Sequence, residues 1–256
     1  MRNIFQTIFG ATKLPQVEPM CPPDTRIYSI GDIHGCEDLL RQLQALIIED
    51  SSDYTGHKKI IYLGDYIDRG EHSKQVIELL VEHPLTGFES IYLRGNHEQS
   101  LLDFLVEPDI GRSWFNYGGL QTLVSYGVKF SKIPTSKDDL KALQSDLKDK
   151  IPSNHLAFYK NTDFYHESGH YYFVHAGVKP GLSLDKQQAS SQLWIRDEFI
   201  GHTKPFEKII VHGHTCSEQA EFKINRIGID TCAYASGKLT CLVLEHESQR
   251  IIQAST

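Results

Sequence analysis

Short apolar runs alternate with amphipathic segments along the first part of the chain. The run RIYSIGDIHG (residues 26–35) has the β-rich composition of a strand and leads into CEDLLRQLQALIIED, in which leucine and isoleucine keep helical spacing. The same order returns in KKIIYLGDYIDRG followed by SKQVIELLVEH, and in ESIYLRGNHEQ followed by SLLDFLVEP. Strands that alternate with helices of this length predict βαβ units, a largely parallel sheet and an α/β fold.

The alternation stops over residues 109–163, where a Gly118–Gly119 pair and a charged helical stretch predict a mostly helical insertion or cap. Apolar runs resume in HYYFVHAGV, KIIVHGHT, KINRIGIDT and KLTCLVLE. Since the late runs lie close together with no helical pattern between them, we expect a second sheet with antiparallel pairs.

The length of 256 residues suits one domain, because single α/β domains often reach about 200–250 residues. Four prolines between residues 15 and 23 predict an extended N-terminal arm over residues 1–24. The folded domain is then expected over residues 25–250, including the insertion, with residues 251–256 as a C-terminal tail.

Charge and cysteine content narrow the class of protein. The chain has 26 basic and 33 acidic residues, and this net charge of −7 argues against nucleic acid or an anionic membrane as partners. No stretch approaches the roughly 20 apolar residues of a membrane span. Five widely spaced cysteines without a CxxC motif predict reduced thiols and a cytoplasmic location. The sequence does not specify an oligomeric state.

Five of the predicted strands end in glycine-flanked clusters of residues that can bind metal ions. The clusters are Asp32 and His34, Asp65 and Asp68, Asn96 and His97, His175, and His212 with His214. Ligands of open α/β sheets bind beyond the carboxyl ends of the strands, so we expect these loops to converge on one site.

The donor types indicate the metal chemistry. Mixed oxygen and nitrogen ligands suit manganese, iron, zinc or cobalt better than calcium or a structural zinc ion. The set is too large for one tetrahedral ion, but it would accommodate two ions about 3.5–4 Å apart that share a carboxylate. Water bound to such ions loses a proton near neutral pH and supplies a hydroxide nucleophile.

The ordered motifs GDIHG, GDYIDRG, RGNHE, HAG and HGHT resemble the phosphoprotein phosphatase family, within the calcineurin-like metallophosphoesterases. The later blocks WFNYGGLQTLVSYG, LWIRDEF and IDTCAYASGKLT are similar to its bacterial serine/threonine phosphatase branch. The resemblance extends from about residue 26 to residue 245 and implies the calcineurin-like metallophosphoesterase fold, with a two-sheet β-sandwich core flanked by helices. It implies a pair of divalent or mixed-valence metal ions, with manganese expected and iron or zinc as alternatives.

Matching positions imply a role for each site residue. Asp32 and His34 would bind the first metal ion, Asp65 would bridge the two ions, and Asn96, His175 and His214 would bind the second ion. His97 would act as the general acid, and Asp68 would orient its imidazole. Three arginines, Arg69, Arg94 and Arg196, offer planar donors for the phosphate oxygens of the substrate.

The neighbours of these residues are expected to support them. We expect Glu98 to orient a ligand without binding metal, and His212 to be a packed residue, since the family pattern requires only His214 of this loop. Two cysteines depart from the bacterial pattern, Cys216 where proline is usual and Cys232 where glycine is common. Both would lie near the second metal ion, where a thiol would confer sensitivity to oxidation.

The resemblance implies a dinuclear metal-dependent phosphoprotein phosphatase. Such an enzyme would hydrolyse phosphoserine or phosphothreonine in proteins or phosphopeptides, with phosphotyrosine as an alternative substrate. The motifs GDYIDRG and GNHE favour this activity over that of a nucleotide hydrolase resembling symmetrical diadenosine tetraphosphatases, which share GDxHG and the two-metal chemistry. A non-catalytic scaffold of the same fold is the third alternative, although every expected ligand is present. A shallow groove would support the phosphatase, and a deep pocket with aromatic walls would support the nucleotide hydrolase.

Overall fold

The computed structural model describes residues 18–256, which contain two five-stranded sheets. In chain order the strands are β1 (Thr25–Ile30), β2 (His57–Tyr62), β3 (Glu89–Tyr92), β4 (Tyr165–Ser168), β5 (Tyr171–Val174), β6 (Ile209–His212), β7 (Glu221–Phe222), β8 (Arg226–Gly228), β9 (Lys238–Glu245) and β10 (Ser248–Ser255). The helices are α1 (Glu37–Asp50), α2 (Ser73–Glu82), α3 (Asn96–Val106), α4 (Gly111–Trp114), α5 (Gly119–Ser125), α6 (Lys137–Lys150), α7 (Ser153–Lys160), α8 (Ala189–Trp194), α9 (Asp197–Ile200) and α10 (Ala233–Ser236).

The first sheet has the strand order β10-β9-β1-β2-β3. The central strands β1, β2 and β3 pair in parallel through the crossover helices α1 and α2, which confirms the predicted βαβ units. The prediction for the last strands was wrong in one respect, because KLTCLVLE is β9 and pairs antiparallel with β1 in this sheet.

The C-terminal tail predicted over residues 251–256 is also wrong, since these residues supply most of β10. This strand pairs antiparallel with β9 from Ser248 to Ser255 and closes one edge of the first sheet. Its side chains are mostly half-buried or exposed, as expected for an edge strand.

The second sheet has the order β4-β5-β6-β8-β7. Strands β5, β6 and β8 are parallel neighbours, and β4 and β7 flank them antiparallel. The sheet therefore contains the predicted antiparallel pairs, but its centre is parallel. As a result, β5 and β6 deliver their carboxyl ends to the same edge.

The core lies in layers because side chains of a strand alternate between its two faces. In β1, Ile27 belongs to the apolar layer between the sheets, together with Phe173 and Val211 of the second sheet. Its neighbours Tyr28 and Ile30 pack on the other face, in the cluster formed with the helices. The sandwich core and its helical cover are thus those expected for the fold.

The insertion at residues 109–163 is mostly helical, as predicted, and contains α4, α5, α6 and α7 with two short 3-10 turns. Helix α6 begins at a capping box, in which the Ser136 hydroxyl accepts the Asp139 N–H and the Asp139 carboxylate accepts the Ser136 N–H. The insertion packs beside α3 and places Trp114 in the main apolar cluster.

The N-terminal arm predicted over residues 1–24 falls partly outside the described residues, which begin at residue 18. Within the described part, the Cys21 N–H donates to the His246 carbonyl at 2.9 Å, and the His170 N–H donates to the Met20 carbonyl at 3.0 Å. These contacts hold this end of the arm against both sheets. Between residues 18 and 256, none of the helices combines the length and apolar character that a membrane crossing requires.

The prediction that the cysteines are reduced thiols is wrong for one pair. Cys216 and Cys232 form a disulfide, whereas Cys21, Cys36 and Cys241 are free. The bond is possible because β6 and β8 are parallel neighbours, so the loops that follow them lie side by side at the same edge.

Candidate active site

The predicted metal ligands and the acid pair lie together at the carboxyl ends of β1, β2, β3, β5 and β6. The residues that the structure brings to this edge are Asp32, His34, Asp65, Asp68, Asn96, His97, His175 and His214, and all of them are buried. Convergence of loops from both sheets was the central expectation from the sequence, and the structure meets it.

Strained backbone is concentrated in these loops. His34, Asp65, Asp68, Arg69 and His214 all have φ between 46° and 72°, the left-handed region that residues with a Cβ rarely adopt. Such conformations cost about 1–3 kcal/mol each and persist where the surroundings enforce them. Their clustering indicates that the fold holds these side chains in fixed directions at the expense of stability.

Hydrogen bonds from neighbouring loops enforce this geometry around Asp65. Its carbonyl accepts the N–H of Ile33 at 3.0 Å and that of His34 at 2.8 Å. Its carboxylate touches the backbone of Gly95, where any Cβ would collide with it. The carboxylate of Glu98 accepts the N–H groups of Asp65 and Gly95 at 2.9 Å each, which ties the loop after β2 to the first turn of α3. Glu98 therefore positions the loop, as expected.

The Asp65 carboxylate lies between two groups of nitrogen donors. Its Oδ2 is 3.4 Å from His34 Nε2 and 3.7 Å from His97 Nε2. Its Oδ1 is 3.4 Å from His175 Nε2, and His214 belongs to the same group of converging donor atoms. One carboxylate therefore faces two separate positions.

The chemistry of these donors fits metal ions. Nδ1 of His175 donates to the Leu63 carbonyl at 3.0 Å, so its Nε2 carries a lone pair. That lone pair faces two acceptors, Asn96 Oδ1 at 2.9 Å and Asp65 Oδ1 at 3.4 Å, and also lies 3.2 Å from His214 Nδ1. A cation between them would convert this convergence of lone pairs into coordination.

The position on the other side of Asp65 has the same character. Nδ1 of His34 donates to the Ile67 carbonyl at 2.8 Å, which leaves its Nε2 lone pair directed at the Asp65 carboxylate. Burial lowers the pKa of His34 to about 3 and that of His214 to about 2. Both imidazoles are therefore neutral, which is the state that binds metal.

Asp32 lies beside these donors. Its carboxylate accepts the His214 N–H at 3.0 and 3.2 Å, and a Cβ on Gly213 would collide with it. Burial and the negative charges of Asp230 and Asp65 raise the pKa of Asp32 well above its usual value. A nearby cation would offset that repulsion, so the position of Asp32 is consistent with its predicted role.

His97 and Asp68 form the predicted pair. His97 Nδ1 donates to Asp68 Oδ2 at 2.6 Å, and that oxygen also accepts the Trp114 Nε1–H at 2.7 Å. The other oxygen accepts the Thr122 hydroxyl at 2.5 Å. Burial lowers the pKa of His97, but Asp65 and Asp68 outweigh it and raise the pKa to about 9. The imidazole therefore carries a proton near neutral pH and can donate it.

Two of the three predicted arginines border the centre. The Arg69 guanidinium lies over the ring of Tyr234 at 4.7 Å, and this ring meets His34 edge-on at 5.4 Å. Arg196 donates from Nε to His214 Nε2 at 3.0 Å. The arginines thus stand on different sides of Asp65, one next to the His34 position and one next to the His214 position.

Arg94 has a different role from the predicted contact with phosphate. Its Nε donates to Thr162 Oγ1 at 2.9 Å, its Nη1 to Gln99 Oε1 at 3.1 Å, and its Nη2 to the carbonyls of residues 159, 160 and 162. Through these contacts the guanidinium links the end of α7 to α3, so it is not available to a phosphate. The RGNHE motif places Arg94 near the predicted ligand Asn96 and the predicted acid His97 in sequence, but its side chain points to the insertion.

Comparison with known proteins agrees with a metal-dependent phosphoesterase site. A sequence model of the family described as calcineurin-like phosphoesterase matches residues 25–241. The chain belongs to this family. The chain is also similar to a bis(5'-nucleosyl)-tetraphosphatase PrpE [asymmetrical] of Bacillus cereus (strain Q1), with 27% identity over 233 residues that cover 83% of this chain and 88% of that protein.

Solved structures share the fold of this phosphoesterase. A protein provisionally named a diadenosine tetraphosphatase superposes with a TM-score of 0.56 at 18% identity, over 92% of this chain and 96% of that one. A cold-active protein tyrosine phosphatase superposes with a TM-score of 0.55 at 18% identity, over 92% of this chain and 81% of that one.

The phosphoesterase has one buried acid at this edge that the sequence interpretation overlooked. Asp230 follows β8, lies close enough to Asp32 to raise its pKa, and accepts the Cys232 N–H at 2.8 Å. A weaker form of the signal was present, because the apolar run KINRIGIDT carries an acid two residues after a glycine, near the end of a predicted strand.

His212 is a packed residue, as expected. Its Nε2 accepts from Arg226 Nη1 at 3.3 Å, and its ring meets Phe199 edge-on at 5.0 Å. Burial lowers its pKa to about 4, so the ring is neutral. These contacts engage the His212 ring away from the centre and leave His214 as the predicted ligand of the HGHT motif.

Proposed function

We propose that this phosphoesterase is a two-metal hydrolase that cleaves bis(5'-nucleosyl) tetraphosphates. The observation that carries the proposal is the division of the centre by Asp65, whose two oxygens face separate donor groups, each bordered by its own arginine. Such a centre offers positive charge on both sides of the reacting phosphorus. A chain of four phosphates can use both sides at once.

The relatives support this choice of substrate over the phosphoprotein expected from the motifs. The curated proteins to which the chain is similar over 83% of its length are named as asymmetrical bis(5'-nucleosyl)-tetraphosphatases. We therefore expect an unequal cut that yields a nucleoside monophosphate and a nucleoside triphosphate, in place of the symmetrical cut considered from the sequence.

The protein groups divide the work as follows. Asp32, His34, Asp65, Asn96, His175 and His214 would hold the two ions, for which manganese is the first choice and iron or zinc the alternatives. When bound, the ions lower the pKa of a water molecule at the centre. His97 donates its proton to the oxygen that leaves, and Asp68 holds the imidazole in place through the 2.6 Å bond. Arg69 and Arg196 bind the non-bridging phosphate oxygens.

A phosphoprotein phosphatase remains the second candidate, favoured by the open surroundings of the centre. Trp194, Arg196 and Tyr234 are exposed, so the site edge that they form is accessible to a polypeptide as well as to a nucleotide. These exposed side chains do not form the deep pocket with aromatic walls that would favour the nucleotide.

A substrate panel separates the two candidates. The manganese-loaded protein would be assayed with bis(5'-adenosyl) tetraphosphate, a phosphoseryl peptide and a phosphotyrosyl peptide, with His97→Asn as the matched variant of reduced activity. We expect kcat/KM for the tetraphosphate to exceed that for both peptides, with AMP and ATP as products. Preference for a peptide would replace the proposal with the second candidate, and two equivalents of ADP would contradict the unequal cut.

A further inference from the structure

Two large aromatic side chains stand exposed on either side of the centre. Tyr234, in α10, is 41% exposed and meets His34 edge-on with ring centroids 5.4 Å apart. Trp194, at the end of α8, is 44% exposed and meets His214 edge-on at 6.4 Å. His34 and His214 belong to the two different donor groups on Asp65, so the aromatic rings flank the centre from its two sides.

Each ring accompanies one of the arginines that border the centre. The Arg69 guanidinium lies over the Tyr234 ring at 4.7 Å, and Trp194 precedes Arg196 by two residues. Each side of the centre therefore pairs a cation, which suits a phosphate, with an exposed π-surface next to it. A phosphate group does not stack on an aromatic ring, so phosphate binding does not explain that surface.

Packing against the protein interior does not explain why Tyr234 and Trp194 lie at the surface. Another exposed aromatic residue, Tyr165, is stacked on Tyr172 with ring centroids 4.9 Å apart and planes within 9° of parallel, so it covers part of the protein interior. Tyr234 and Trp194 instead meet site histidines edge-on, at 85° and 86° between ring planes. A perpendicular contact covers only part of a ring, so the exposed parts of Trp194 and of Tyr234, whose ring the Arg69 guanidinium also contacts, stay open to a planar ligand.

We propose that Tyr234 and Trp194 are nucleobase platforms, each of which stacks one base of a dinucleoside polyphosphate. This inference rests on the proposed function and names the part of the substrate that the metal centre does not bind. One base would lie on Tyr234 with its phosphates toward Arg69, and the other on Trp194 with its phosphates toward Arg196. Every base has a π-face, so the platforms would accept different nucleosides.

The size of the effect follows from stacking energies. Loss of a base-stacking aromatic residue typically weakens binding by about 5- to 150-fold. The affinity lost should depend on the presence of a base and not on the number of phosphates. Comparison of ADP with pyrophosphate tests this term, because both carry a diphosphate group and only ADP carries a nucleoside; comparison of the variants then separates the contribution of the rings.

The test measures inhibition constants of ADP and of pyrophosphate against hydrolysis of p-nitrophenyl phosphate by the manganese-loaded protein. In the native protein ADP should inhibit at least fivefold more strongly than pyrophosphate. The double variant Trp194→Ala with Tyr234→Ala should lose this preference, and Trp194→Phe with Tyr234→Phe should retain most of it. Tyr165→Ala is the control and should retain the full preference.

Two results would overturn the inference: equal inhibition by ADP and pyrophosphate in the native protein, or an ADP preference that survives the double alanine variant. The reporter reaction requires no dinucleotide, so the outcome is independent of the proposed substrate. If ADP preference depends on the two rings but bis(5'-adenosyl) tetraphosphate is not cleaved, the platforms stand and the proposed function falls. If the dinucleotide is cleaved equally well without the rings, the proposed function stands and the platforms fall.

Discussion

The substitution Asp68→Asn tests the acid pair and allows its magnitude to be worked out from the contacts. Asp68 Oδ2 accepts from His97 Nδ1 at 2.6 Å and from Trp114 Nε1 at 2.7 Å, and Oδ1 accepts the Thr122 hydroxyl. An asparagine can keep its oxygen toward the two N–H donors and turn its amide group toward the Thr122 oxygen. The substitution then removes the negative charge but few hydrogen bonds.

The expected loss of transition-state stabilisation in Asp68→Asn equals the difference between a charge-assisted hydrogen bond and a neutral one. Hydrogen bonds to charged groups contribute about 1.5–3 kcal/mol and neutral ones about 0.5–1.5 kcal/mol, so the difference is about 1–2 kcal/mol. That difference corresponds to about a 5- to 30-fold fall in kcat/KM. His97→Asn removes the acid itself and should cost about 10²- to 10⁴-fold with a poor leaving group.

The assay compares kcat/KM for an aryl phosphate with that for an alkyl phosphate in both single variants and in the double variant. Both substitutions should slow the alkyl ester more, because its leaving oxygen needs the proton. Asp68→Asn should add nothing in the absence of His97, since the two residues act as one unit. Trp114→Phe, which removes another donor to the same oxygen, should have a smaller effect than Asp68→Asn. A full multiplicative loss in the double variant, or equal losses for both esters, would refute the acid role.

Three further predictions concern the arginines, the disulfide and a glycine of the site. Arg69→Ala should raise the inhibition constant of inorganic phosphate by about 10-fold or more. Arg94→Ala should leave that constant unchanged and lower the free energy of unfolding measured by urea denaturation. An equal rise of the inhibition constant in both variants would contradict the different roles assigned to Arg69 and Arg94. Replacing Cys216 and Cys232 by serine should lower the unfolding free energy by about 3 kcal/mol, and dithiothreitol should then destabilise only the native protein. Gly95→Ala should reduce kcat/KM by about 10²-fold, because the added Cβ would displace the Asp65 carboxylate. An unaltered kcat/KM would show that catalysis does not depend on the exact position of that carboxylate.

The sequence predicted the location of the site well because the signal is local. Each apolar run that ends in a glycine-flanked polar cluster identifies a strand and the loop that follows it. Parallel pairing of β1, β2 and β3 then brings Asp32, Asp65 and Asn96 to one edge without further information. The position of Asp65 between the two donor groups and its bond network are consistent with that expectation.

The pairing of strands was harder to predict, because the hydrophobic pattern of a strand does not specify which strand it pairs with. KLTCLVLE is nearly all buried, which indicates a central strand, but nothing in it selects β1 of the first sheet over the second sheet. Residues 248–255 were overlooked because an edge strand needs only one partner and tolerates polar side chains.

Side-chain direction and long-range pairing also depend on the folded chain. Arg94 lies two residues before the predicted ligand Asn96, yet the direction of its side chain is decided by Thr162 and the carbonyls at the end of α7, 65 to 68 residues away. Cys216 and Cys232 meet only because β8 lies next to β6. Neither result follows from spacing alone.

The central claim is that Asp65 joins two metal ions, and anomalous diffraction from crystals of the manganese-loaded protein tests it most directly. The claim predicts two anomalous peaks about 3.5–4 Å apart, one on each side of the Asp65 carboxylate, and the loss of at least one peak in Asp65→Asn. A single peak in the native protein, or two undiminished peaks in Asp65→Asn, would contradict it.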